Sequence, residues 1–440
     1  MNWLSPLIRV VRIGDLRNKI LFILGIFVIF RIMANIPIPG IDAERLRAFF
    51  EGNQIFGLLN LFTGGALDNL SIVMLGLGPF ITATIVMQLL TMIFPPLERM
   101  YKEEGEAGKK KFNQYGRMLT IPFTLVQGYG FLTLLSRQGI IDQLTPIVYV
   151  TALVTVMAGT IFLMWLGEQI TSRGIGNGVS LIIMAGIVAQ FPTFTMNMFE
   201  GGRTGSIAPT IIIGFIVMVV ALILLISFVE RAQRRLLIQY PKRATQQGMM
   251  QADRSHLPLK LNTAGVIPPI FASSLLLLPL TISSFASNSL DTSSGFGQTI
   301  VTLNQYLAHG QPIYMALYAL GIVFFCFFYT AVVFDPEETA DNLKRNGGFI
   351  PGIRPGKRTA DYLEYVLTRI TVVGAIYLTV VCVVPEYMIA QTGIPLFLGG
   401  TSLLIVVNVT VDTISQVQSH LLAHQYGDLI KKAKLKGRMR

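Results

Sequence analysis

Charged residues are missing from long stretches of this chain. No Asp, Glu, Lys or Arg occurs in residues 71–97, 118–136, 179–199, 204–229, 261–290 or 387–411. A helix that crosses a bilayer needs about 20 apolar residues at a rise of about 1.5 Å each. The pattern predicts ten such helices, at residues 20–36, 75–94, 118–136, 146–166, 179–190, 209–229, 265–284, 312–334, 370–384 and 394–411. The fifth and ninth are short. Arg31 falls near the outer end of the first, where its head can snorkel to the interface. That first stretch runs into Pro37 and Pro39 with no small-residue cleavage motif behind it. It reads as a spanning helix and not as a cleavable signal.

Composition agrees. Of 440 residues, 52% are apolar and 13% charged, against about 25% charged in soluble domains. The surface is therefore expected to face lipid. The Lys and Arg residues fix an expected orientation. Thirty of the 35 fall at the termini and in alternate loops, while the opposite loops hold only Arg45, Arg47, Arg137 and Arg203. This places both termini in the cytoplasm and supports an even number of helices. Cys326 and Cys382 fall inside the eighth and ninth helices, as packing residues.

Ten helices split into five and five, which would make the two halves inverted repeats. The N-terminal half is expected over 1–229, with the sixth helix opening the second half at about 209. A basic loop follows at 230–260, then the rest of the second half at 261–413, including a loop at 335–369, and a basic tail at 414–440. Both loops are long. The second carries FIPGIRPGKRTADYL, a turn stiffened by Pro and Gly. Topology and anionic lipid explain their charge, but not their length or that stiffness, so a partner is expected to dock there. Residues 61–71, LFTGGALDNLS, are too short to cross. By their physics alone they read as an outer loop.

Catalytic signatures are absent: no H-E-x-x-H, G-x-S-x-G or Walker A occurs. GEAGKKK at 105–111 lacks the spacing and the Ser/Thr of a P-loop. RGIGNGVS at 173–180 has no preceding strand and reads as a tight turn with close helix packing. His420 and His424 share a helix face without a third ligand nearby, so no metal site is expected. Glu386 and Asp412 are placed at helix ends, leaving mid-membrane carboxylates nearly absent. That weighs against a small-solute secondary transporter, the main alternative class. Uncharged polar residues recur inside the helices (Thr82, Thr84, Gln88, Ser273, Ser274, Asn408) and suggest interhelical hydrogen bonds or an interface that opens.

FTGGALDNLS, GEAGKKKFNQYGR, RGIGNGVSLIIMAGIVA, HLPLKLNTAGVIPPIFASS, GFIPGIRPGKRTADYLE and LGGTSLLIVVN stand here in order. Together with the closing KKAKLKGR they resemble the bacterial SecY family across nearly the whole chain. The resemblance implies an all-α integral membrane protein of the bacterial plasma membrane. Its ten transmembrane helices would form two inverted five-helix halves, an hourglass channel with a plug. It would be a protein-conducting channel and not an enzyme, with no cofactor. The family's pore ring falls on Ile81, Ile85, Val179, Ile183, Ile270 and Ile405. The plug falls on Phe62, Thr63, Gly64, Gly65, Ala66, Leu67 and Asp68, which replaces the outer-loop reading. The lateral gate, between the second and seventh helices, would use Thr84, Gln88, Ser274 and Leu278. Val179, Leu278 and Asn408 depart from residues common in the family. Implied partners are SecE and SecG in the membrane, the SecA ATPase, the ribosome with its RNA and proteins, signal peptides and nascent chains, and anionic lipids. Docking would use Arg243, Arg354, Lys357 and Arg358.

Overall fold

The computed structural model describes residues 13–38, 70–102, 104–137, 145–205, 207–240, 244–245, 248–249, 254–273, 275–276, 311–392 and 399–437. These are mostly helical. In chain order the helices are α1 (Gly14–Ala34), α2 (Gly78–Ile93), α3 (Pro95–Lys102), α4 (Gly105–Arg137), α5 (Pro146–Arg173), α6 (Gly178–Thr204), α7 (Pro209–Arg231), α8 (Pro312–Val333), α9 (Pro336–Arg345), α10 (Lys357–Thr392) and α11 (Gly400–Gly437). Residues 267–273 are also helical. Four short strands, β1 (Gln233–Gln239), β2 (Ala244–Thr245), β3 (Gly248–Met249) and β4 (Arg254–Lys260), lie between α7 and that segment.

Nine of the ten expected spans coincide with a named helix, and 267–273 lies within the seventh. Among the described residues six helices are individually long and apolar enough to cross a membrane, and α2 and α3 form a pair bent by 109°. The fifth and ninth helices are longer than their apolar runs. α6 continues through Pro192 to Thr204, and α10 begins at Lys357. Charge-free composition marks only the part of a helix that lipid touches, and a helix carries on into polar surroundings.

Two compact units divide the chain: Met1–Ser206 with Val409–Arg440, and Ile207–Asn408. In the first, Ile38, Leu70 and Met74 pack on Leu132 and Leu135 of α4 and Ala152 and Val156 of α5. Pro37 and Ser71 form an isolated bridge. Ile38 N–H donates to the Leu70 carbonyl (2.9 Å), and Ile72 N–H to the Ile36 carbonyl (3.1 Å). The chain therefore leaves and returns at one point on either side of residues 39–69. The expected plug, Phe62–Asp68, lies outside the described residues. On α5, a Cβ at Gly159 would overlap the Ile72 carbonyl, which lets the approach to α2 lie directly on the helix.

The second unit shows what the sequence reading missed. The stretch expected as a loop at 230–260 contains an antiparallel ribbon. β1 pairs with β4 so that Leu236 faces Leu257 and Arg234 faces Leu259. A shorter pairing joins β2 and β3. The ribbon then binds the other long loop, because Gln239 and Phe349 exchange both backbone hydrogen bonds, at 2.9 and 3.0 Å. Leu236, Leu259, Ala340, Ile350, Ala360, Leu363, Val366 and Leu367 close a shared core. α9 is capped by the Asp335 carboxylate, which accepts from the Glu337 and Glu338 amides. Acidic residues in its first turn and basic ones in its last complement the helix dipole. The two loops thus form one small body.

Leu363 is fully buried in that body. Leu363→Ala is expected to destabilise it by about 2–5 kcal/mol. Hydrogen exchange should quicken at the β1 amides and stay unchanged in α5.

Candidate pore and docking surfaces

Ile81 and Ile85 stand one turn apart on α2, both half-buried. Val179 and Ile183 stand one turn apart at the start of α6, half-buried and buried. What fixes the second pair is the RGIGNGVS turn. Asn177 caps α6, its side-chain oxygen accepting from the Val179 and Ser180 amides at 3.1 and 3.4 Å. The Gly178 amide donates to the Thr171 hydroxyl (2.9 Å), and that hydroxyl donates to the Gly167 carbonyl (3.0 Å). The Gly176 amide donates to the Gln416 side-chain oxygen of α11 (2.8 Å). A Cβ at Gly178 would overlap the Gly167 carbonyl, so α5 and α6 cross backbone to backbone. One Val179 methyl stands 3.2 Å from where a Gly167 Cβ would be, so this side chain packs over α5. Gly176, at φ +92°, adopts a backbone open mainly to glycine. The turn is a packing device, as its sequence suggested.

The second unit supplies Ile270, half-buried in 267–273, and Ile405, buried on α11. Of the expected gate residues, Thr84 and Gln88 lie on α2 and are half-buried, while Ser274 and Leu278 lie outside the described residues. The Thr84 hydroxyl donates to the Phe80 carbonyl (2.9 Å), Thr82 to Gly78 (3.0 Å), and Ser273 to Ile270 (2.9 Å). These three hydroxyls donate within their own helices. Each can change neighbours without leaving a donor bare.

Glu386 is not at a helix end. It is buried within the last two turns of α10, with a carboxylate oxygen about 4.0 Å from the Cβ position of Gly399. Asp412 lies exposed inside α11, which continues well past it.

Arg354, Lys357 and Arg358 are exposed on the turn before α10 and on its first turn. Gly352 (φ +84°) and Gly356 (φ +105°) hold left-handed backbone there. The Thr359 hydroxyl donates to the Arg354 carbonyl and its amide to the Gly356 carbonyl, both at 2.9 Å. With Pro351 and Pro355 alongside, the guanidinium is carried by a fixed backbone. Arg234 and Arg235, exposed on β1, belong to the same body. They passed unremarked in the sequence because the ribbon is marked only by the short alternations Leu236 with Ile238 and Leu257 with Leu259. Arg243 lies outside the described residues. His420 is exposed on α11, and no group of three or more metal-binding side chains occurs among the described residues.

The SecY family profile matches residues 71–414. Protein translocase subunit SecY of Rickettsia typhi is 48% identical over 432 residues, covering 96% of this chain and 98% of that protein. SecY of Escherichia coli K12 is 47% identical over 431 residues, covering 97% and 96%. A solved SecY structure described by its plug domain, which "stablizes the closed state of the translocation channel", superposes with a TM-score of 0.64 at 20% identity, covering 90% of this chain and 91% of that one. Sec61 in the canine ribosome-channel complex superposes with a TM-score of 0.58 at 18% identity, covering 90% and 91%. The fold is that of a multi-pass helical channel protein. The chain belongs to the SecY family, a family of channel subunits and not of catalysts.

Gly178→Ala is expected to force α5 and α6 apart, lowering stability by about 1–3 kcal/mol. Gly25→Ala, in open space on α1, is expected to be neutral or stabilising by up to about 1 kcal/mol. Thermal unfolding in detergent compares the two.

Proposed function

We propose that this chain is the pore subunit of a bacterial protein translocase: a passive channel through which unfolded polypeptides cross the plasma membrane and from which apolar segments leave sideways into lipid. The observation that carries this reading is near-complete coverage of the SecY relatives at 47–48% identity, with apolar branched residues at every ring position. On this reading ten helices cross in two inverted halves around an hourglass. Residues 62–68 form its plug, and both termini are cytoplasmic by the distribution of Lys and Arg.

The chemistry of the ring suits that task. A narrow collar of Ile and Val disfavours water and blocks ions by dewetting. It offers no fixed hydrogen bonds, so it can yield to any passing side chain. The gate needs no energy source of its own. Leu, Ile, Phe and Val each favour the bilayer centre by about 0.3–0.6 kcal/mol, while Asp, Lys and Arg cost about 2.5–3.5. An apolar run therefore partitions into lipid, and a hydrophilic chain stays in the pore.

The body built from β1, β4, α9 and the start of α10 is the cytoplasmic docking surface. Arg354, Lys357 and Arg358 suit carboxylates of the SecA motor or phosphates of ribosomal RNA. SecE and SecG are the membrane partners, and exposed apolar faces such as Ile213, Val217, Leu224 and Phe228 of α7 suit lipid or a neighbouring helix.

Ile85→Asn is expected to wet the collar and raise resting ion conductance in planar bilayers. Unchanged conductance would remove Ile85 from the ring. Arg354→Glu is expected to leave thermal stability within about 0.5 kcal/mol yet cut ATP-dependent precursor import into vesicles severely. Normal import by this stable variant would sink the docking role.

A further inference from the structure

The ribbon body and the helical segment 267–273 are joined by six residues, 261–266. A free link of that length would absorb any movement of the body before it reached the membrane. This link is pinned throughout. Leu261 N–H donates to the Ala232 carbonyl (3.0 Å), extending the ribbon. The Leu261 carbonyl lies 3.0 Å from where a Gly374 Cβ would stand on α10, so a larger residue there would press against it. Thr263 donates to the Lys260 carbonyl (3.1 Å).

At the centre is Asn262, 4% exposed. Its amide nitrogen donates to Glu230 Oε1 at the end of α7 (2.7 Å) and to the Gly265 carbonyl (3.1 Å). Its amide oxygen accepts from the Gly265 N–H (3.1 Å). Both donor hydrogens are therefore used, one on a carboxylate. Gly265 takes φ +64°, and the chain turns there into residues 267–273. Glu230 is half-buried, so the charge-assisted hydrogen bond it accepts from Asn262 is partly shielded from water, which keeps it short and directional.

We propose that the Asn262–Glu230 contact is a clasp that couples the docking body to the gate helix, so that a partner pushing on the ribbon moves residues 267–273 directly. Asn262 is a positioning residue on this account. The inference rests on the pore reading above. It differs from a purely structural role because it separates two events: docking on the body survives loss of the clasp, and opening of the gate does not.

The test uses the full translocase in proteoliposomes with its ATP-driven motor, comparing parent, Asn262→Asp, and the double variant Asn262→Asp with Glu230→Gln. The first variant sets two carboxylates against each other. The double variant restores a 230–262 bond of opposite polarity, amide to carboxylate, while the donor to the Gly265 carbonyl stays lost in both variants. Motor binding is expected to stay within about twofold of the parent in both. Import is expected to fall about fivefold or more in Asn262→Asp, the order of one lost hydrogen bond, and to rise at least about twofold again in the double variant, which regains the 230–262 bond alone. Unchanged import in Asn262→Asp, or motor binding that falls in step with import, would overturn the clasp. A parent that imports nothing would instead overturn the pore reading. If Asn262→Asp does not accumulate, Glu230→Ala carries the same comparison without a buried repulsion. Failure of both to accumulate would make the contact a folding determinant and end the coupling role.

Discussion

Lipid offers no partner to an N–H, a C=O or a hydroxyl, and most of this architecture answers that one constraint. Long helices satisfy their own backbones. Many of the hydroxyls they carry are turned back on the preceding turn, among them Thr82 on Gly78, Thr84 on Phe80, Thr120 on Gly116, Thr124 on Thr120 and Thr330 on Cys326. Hydroxyls bonded this way keep their partners when two helices part. The same constraint places irregular backbone where protein covers it, as with Leu70, at φ +39° and fully buried beside the Pro37–Ser71 bridge.

Without a hydrophobic force between helices in lipid, close packing has to supply the association. Glycine makes that possible at a few backbone crossings. Gly178 lies on the Gly167 carbonyl, Gly159 on the Ile72 carbonyl, and Gly400 on the Val381 carbonyl. Each crossing lies near an expected pore element: α6 with Val179 and Ile183, the approach to α2, and α11 with Ile405. On the proposed reading, the ring positions would be carried by stiff joints. Outside the bilayer ordinary rules return, and the ribbon body closes over a compact aliphatic core with capped helices.

How much of this was legible in the sequence depends on which solvent each segment meets. Where lipid sets the rule, composition alone located the helices, because a charge-free run has few other structures open to it. The ends were lost for α4, α6, α10 and α11, since a helix leaves lipid without any change in its backbone. The ribbon was lost as well. Its alternation covers only Leu236 with Ile238 and Leu257 with Leu259, too few positions to stand out beside a dense set of basic residues. Its pairing with Phe349 joins segments about a hundred residues apart. The turn at RGIGNGVS was readable because three glycines before a helix have one economical use. The ring residues were not visible as physics, since Ile81 or Ile183 looks like any aliphatic in a membrane helix; family likeness alone singled them out. Asn262 and Glu230 sit at the edges of their segments and carry no local signal of their contact.

The central claim is that a polypeptide passes through the collar. A photo-crosslinking amino acid placed singly at Ile85, Ile183 or Ile405, and for comparison at Val217 or Leu224 on α7, tests it with a precursor arrested during translocation. The account predicts crosslinks to the hydrophilic part of the precursor from all three collar positions and none from α7. Crosslinks from α7 with silence at the collar would contradict it.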